Sequence, residues 1–127
     1  MKRILFFIAA VCCIAACDNE DNPSGDGVKL RVENISDRPF DEVLVRIGGK
    51  EHMYGSLDTG AVSSYAAFDF CYAYAYTEVV VGNDTAIIQP IDFVGERKYA
   101  AGTFTYQLFF TDFLAEEEYL TIQFVRD

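Results

Sequence analysis

From Val28 onward the apolar residues fall on alternate positions, the pattern of strands with one buried face and one wet face. Val28, Leu30 and Val32 alternate with Lys29, Arg31 and Glu33; Val43, Val45 and Ile47 follow, with Arg46 facing outward between them. Phe104, Tyr106, Leu108 and Phe110 alternate with Thr103, Thr105 and Gln107, and Leu120, Ile122 and Phe124 with Thr121 and Gln123. Successive side chains of an extended chain leave on opposite sides, so each apolar set lines one face. Helical character is limited to a hint of one turn around Glu116 to Glu118.

Turn-forming residues separate these runs: Asn34 to Pro39, Gly48-Gly49, Asp58-Thr59-Gly60, Gly82-Asn83, and a looser loop through Pro90 and Gly95. Gly82-Asn83, lying between Val79-Val80-Val81 and Ile87-Ile88, predicts a hairpin whose glycine leads a type II′ turn. Seven or eight strands at this spacing predict an all-β sandwich. At 127 residues the chain has room for one domain, and 51% apolar residues are enough to give it a core rather than leave it disordered.

The amino terminus carries a different signal. Lys2 and Arg3 precede an apolar run from Ile4 to Ala16, and small Ala15 and Ala16 precede a cysteine, the layout of an export signal. The run falls short of the roughly 20 residues that a membrane-crossing helix needs. Of the three cysteines here, Cys12 follows Val11 and Cys13 follows Cys12, so only Cys17 has small side chains before it. Ile14-Ala15-Ala16-Cys17 resembles the lipobox of bacterial lipoproteins. That resemblance implies that residues 1–16 are a cleaved signal peptide and that the Cys17 thiol carries diacylglycerol, with two or three palmitate-like chains in all. At about 0.8 kcal/mol per buried methylene, such an anchor is effectively permanent. The alternative is an ordinary secretory signal with an incidental cysteine.

Behind the anchor, Asp18-Asn19-Glu20-Asp21 resembles the surface-export signal of Bacteroidota lipoproteins, which implies an outer-membrane protein exposed at the cell surface. The bland alternative is a solvated linker. Residues 17–27 are thus expected to be the lipidated cysteine and a flexible acidic linker, with residues 28–127 as the folded domain. Ten extended residues reach at most about 35 Å, so the domain would work close to its membrane.

The formal charge is −10, and loss of Lys2 and Arg3 with the leader makes it −12. A field of that sign repels phosphate backbones and anionic headgroups, so neither nucleic-acid binding nor adsorption through a basic patch is expected.

The stretch from Val28 through Phe68 resembles the front half of immunoglobulin-like accessory domains: a strand, an Asn34-Ile35-Ser36 turn, a Phe40 to Ile47 strand, then Gly55-Ser56-Leu57-Asp58-Thr59-Gly60 leading into another. With Tyr72-Ala73-Tyr74 and Pro90-Ile91-Asp92-Phe93-Val94-Gly95-Glu96, the whole mature chain from Cys17 looks like uncharacterised single-domain lipoproteins of Bacteroidota. The resemblance implies a single immunoglobulin-like β-sandwich and brings no reaction with it. The cysteine pair of an antibody domain is absent from residues 28–127, which hold Cys71 alone, and its core Trp is absent from the sequence.

Catalytic chemistry finds little footing. His52 is the sole histidine and sits in Lys50-Glu51-His52-Met53 beside a glycine turn, so it is expected to be exposed; no cofactor or metal site is expected. Cys71, between Phe70 and Tyr72, is expected to act as a small buried hydrophobe. A small hydrolase would need only two close carboxylates, which 20 acidic residues can supply, but such acids normally form the wet faces of a sandwich.

The most suggestive motif is Tyr72-Ala73-Tyr74-Ala75-Tyr76, whose three rings share one face if the segment is a strand. Exposed, Tyr72, Tyr74 and Tyr76 would suit a glycan or an envelope protein; buried, they would be core or cross-strand packing. Asp84-Thr85-Ala86 resembles the O-glycosylation acceptor of Bacteroidota and marks Thr85 as a modification candidate. The leading expectation is a membrane-tethered, non-catalytic binding or accessory module of the envelope. The alternatives are a glycan-binding module using the tyrosines, or a small hydrolase.

Overall fold

Val28, Leu30, Val32, Val43 and Val45 are all at most 2% exposed, so the alternate apolar residues do turn inward. The computed structural model describes residues 27–113 and 117–127, and within them every regular element is a strand. The strands are β1 (Gly27–Asn34), β2 (Glu42–Ile47), β3 (Lys50–Met53), β4 (Ala66–Phe68), β5 (Tyr76–Val81), β6 (Asp84–Ile88), β7 (Ala101–Phe113) and β8 (Glu117–Arg126). They form two four-stranded sheets, in the orders β4-β1-β7-β8 and β3-β2-β5-β6. The expected all-β sandwich of seven or eight strands is met by eight. The leader, Cys17 and residues 18–26 of the expected linker lie outside the described residues; Gly27, read as the end of that linker, already belongs to β1.

Hairpins join β2 to β3, β5 to β6 and β7 to β8, and each pair is antiparallel. The exception is β1, which runs parallel to β7 from Gly27 opposite Ala101 to Asn34 opposite Leu108. A parallel pair needs a long crossover, and here the intervening chain supplies the whole second sheet. Both tight turns rest on glycine: Gly48 and Gly49 have φ of 57° and 83° in the β2–β3 loop, and Gly82 has φ of 62° in the β5–β6 loop. Such positive φ gives hairpins the twist of their strands.

The core fills the space between the sheets. Phe104, Tyr106 and Leu108 from β7 face Val43, Val45 and Val79, while Phe40 and Leu57 pair across one end and are buried there. Each large apolar side chain fully buried this way contributes about 1.5–3 kcal/mol. Asn34, also buried, donates from its amide nitrogen to the carbonyls of Arg38 and Leu57, and its oxygen accepts from the Ser36 N–H and hydroxyl.

The helical hint around Glu116 to Glu118 is corrected by the sheet at Glu117 and Glu118, while Glu116 lies outside the described residues. Glu117 and Glu118 open β8 opposite Phe113 and Asp112, so ladder pairing overrides the local preference of consecutive glutamates.

Candidate functional site

The ends of β2 and β6 and the start of β5 lie together at one end of the second sheet, and the segments 69–75 and 89–100 close over them. Arg46 and Tyr76 are register partners on the outer face there, because Val45 and Thr77 on either side turn inward. The guanidinium lies 4.4 Å from the centre of the Tyr76 ring and donates to Glu51 from Nε and from a terminal nitrogen at 3.0 and 2.7 Å. The Glu51 hydrogen bonds raise the Arg46 pKa above its ordinary value, which keeps it charged. Tyr76 donates its hydroxyl to Glu78 at 2.6 Å, and that bond, then desolvation, raises the phenol pKa.

The opposite wall is aromatic. Tyr72 stacks on Phe93 with centroids 4.1 Å apart and planes 10° from parallel, and Phe70 meets the Tyr72 ring edge-on at 5.6 Å. The Tyr72 carbonyl accepts the hydroxyl of buried Tyr106 at 2.7 Å, which ties this wall to the core. Between the walls runs a groove of about 210 Å³, lined by Arg46, Gly48, Tyr72, Tyr76, Pro90 and Phe93 among others. Drug-sized pockets start at roughly 300 Å³, so this groove suits a single ring-sized group.

The tyrosine motif is therefore corrected in one respect. Tyr72 and Tyr74 precede the strand, and only Tyr76 belongs to β5, so the three do not form a flat ladder. The physical reason is Phe93, which draws both earlier rings to itself: Tyr74 tilts against it at 5.3 Å, and its hydroxyl reaches the Asp92 carbonyl at 3.4 Å. All three tyrosines are half-buried, so neither a fully exposed platform nor simple core packing describes them. Tyr72 and Tyr76 line the groove, and Tyr74 braces it from behind.

Thr85 is exposed in edge strand β6, opposite Val80 and just beyond the Gly82-Asn83 turn. Cys71 is fully buried, pairs by its backbone with Tyr99, and has its thiol pKa pushed up to about 12 by burial. His52 is exposed on β3, its ring 4.6 Å from that of Tyr54. Cys17 lies outside the described residues.

At the opposite end, a wider cleft of about 320 Å³ is lined by Asp37, Asp112 and Glu118 with Arg38. There Arg38 makes paired hydrogen bonds to Glu118 at 2.9 and 3.1 Å and a third to Asp37. Two of the three acids are thus engaged by one cation. Among the described residues no three His, Cys, Asp or Glu side chains gather in a way that could hold a metal ion.

Sequence reasoning missed Phe93 and Arg46 as members of the site. The Arg46 partnership with Tyr76 depends on a strand register that appears only once β2 and β5 pair. Phe93 carried a weak signal, an aromatic residue in an otherwise turn-like loop between Pro90 and Gly95. No protein-family model matches the chain, and neither a curated protein nor a solved structure does.

Proposed function

We propose that this chain is a lipid-anchored, non-catalytic binding module of the bacterial envelope, held through Cys17 and taking its ligand in the groove between Tyr72–Phe93 and Arg46–Tyr76. The observation that carries the binding role is the groove, a concave site with aromatic walls and a held cation on a rigid sandwich. The lipobox-like Ile14-Ala15-Ala16-Cys17 supports the anchor, and Asp18 to Asp21 behind it supports an outer-membrane, surface-facing location. A tether of this kind raises the local concentration of a weak binder near its target.

For the ligand, the groove favours a sugar. A pyranose has an apolar face that packs on aromatic rings and hydroxyls that accept from a guanidinium, and here Tyr72 and Phe93 offer the first surface and Arg46 the second. The reading is tested with the full chain on an array of envelope polysaccharides, beside a variant carrying Tyr72→Ala, Tyr74→Ala and Tyr76→Ala. Binding by the wild type that the variant loses supports the sugar site. No binding, or binding that survives the triple replacement, removes it and leaves a protein partner as the ligand of a tethered module.

A further inference from the structure

Ile91 and Val94 are 95% and 87% exposed, the highest values of any large apolar residue described. They stand on the loop that carries Phe93, a turn fixed by the Glu96 N–H donating to the Phe93 carbonyl and the Val94 N–H donating to the Asp92 carboxylate. Among the described residues none covers either side chain, and two such side chains on one loop tip offer a small apolar contact surface.

The position of this loop relative to the chain's start is the second observation. Gly27, the first residue of β1, donates its N–H to the Ala100 carbonyl and sits in register with Ala101. The 26 residues that precede it, Cys17 included, therefore join the sandwich at the end where the 89–100 segment lies.

Charge is the third. Lys50, Arg97 and Lys98 stand at this same end, where each lies over an aromatic ring, with Asp69, Asp92 and Glu96 among them. The far end gathers Asp37, Asp41, Asp58, Asp84, Asp112 and Glu118 around Arg38. The net charge alone argues against adsorption through a basic patch, but the charges are segregated: one end is nearly balanced, the other strongly negative. Near an anionic surface that asymmetry turns the acidic end away.

We propose that the Gly27 end of the sandwich seats on the lipid layer holding its anchor, with Ile91 and Val94 entering the headgroup region and Lys50, Arg97 and Lys98 meeting lipid phosphates. This rests on the lipid-anchored reading of Cys17. The groove then opens close to the lipid surface, so its sugar is one displayed there rather than far out in the medium.

The chain lacks tryptophan, which makes it a clean background for a fluorescent probe. Full chain carrying Ile91→Trp, Val94→Trp or, at the far end, Ile35→Trp is reconstituted into vesicles of phosphatidylethanolamine and phosphatidylglycerol with brominated acyl chains. All three sites are exposed, so the substitutions leave the core alone. Docking predicts roughly twofold or greater quenching and a blue shift at positions 91 and 94, with position 35 unchanged. Vesicle-bound protein with no quenching at 91 and 94 overturns the docking while leaving the anchor standing. Protein that fails to float with vesicles and shows an unmodified Cys17 by mass overturns the anchor and the docking together.

Discussion

The backbone N–H of Gly27 donates to the carbonyl of Ala100 at 2.7 Å, so the chain enters the sandwich beside the segment that closes the aromatic groove. Entry point, groove and exposed loop tip share one end of the fold.

The groove makes the tyrosines unequal. Phe93→Ala removes the ring on which Tyr72 stacks and Tyr74 leans, and Tyr72→Ala removes one wall outright. Either is expected to weaken sugar binding tenfold or more, a loss of about 1.4 kcal/mol, by calorimetric titration. Tyr74→Ala, which leaves both lining rings in place, is expected to weaken it much less. Equal losses at all three positions would mean that the groove is not the site.

Gly48 guards the same wall. A Cβ at this position would come within 2.6 Å of the tip of the Phe70 ring, and the residue has φ of 57°. Gly48→Ala therefore forces Phe70 to move against Tyr72 and strains the turn, and is expected to cost about 1–2 kcal/mol in urea unfolding. It is also expected to weaken ligand binding, because Phe70 abuts the Tyr72 ring.

Asn34 is the polar fixture of the core. Asn34→Ala removes two hydrogen bonds, to the carbonyls of Arg38 and Leu57, and leaves the Ser36 N–H without its acceptor in a buried place. The expected loss is about 2–4 kcal/mol, read as a lower urea midpoint with an unchanged slope. A neutral result would mean that water replaces the amide without cost.

Alkaline pH is expected to destabilise the fold. Burial pushes the Cys71 thiol up to about 12, and burial likewise raises the phenols of Tyr54 and Tyr106. For a group whose folded pKa is raised, stability is full below the unfolded value and falls as pH rises toward the folded one. For the thiol that window runs from about 9.0, its ordinary value, to about 12, with a slope approaching 1.4 kcal/mol per pH unit. Urea midpoints between about pH 7 and pH 10 should fall, and fall less for Cys71→Ala. A flat profile would contradict the dry core around Cys71.

The alternation of apolar residues revealed the strands because every second side chain from Val28 to Val32 and from Val43 to Ile47 has one place to go, between the sheets. The two-residue hairpin at Gly82-Asn83 was equally legible, since its conformation is set locally. What the sequence hid depends on distance along the chain. The parallel pairing of β1 with β7 and the meeting of Arg46 with Tyr76 are registers between remote segments. The same alternation misled at Tyr72 to Tyr76, where contacts with Phe93 hold the first two rings outside the strand. Net charge concealed the segregation of acids at the far end, because a sum carries no positions.

If a lipid on Cys17 holds this sandwich to a membrane, as we propose, mass spectrometry of the amino-terminal fragment of protein recovered from bacterial cells will detect it. The expected fragment begins at Cys17 and its mass is increased by diacylglycerol. A free thiol there, or a leader still joined to residues 1–16, would contradict it.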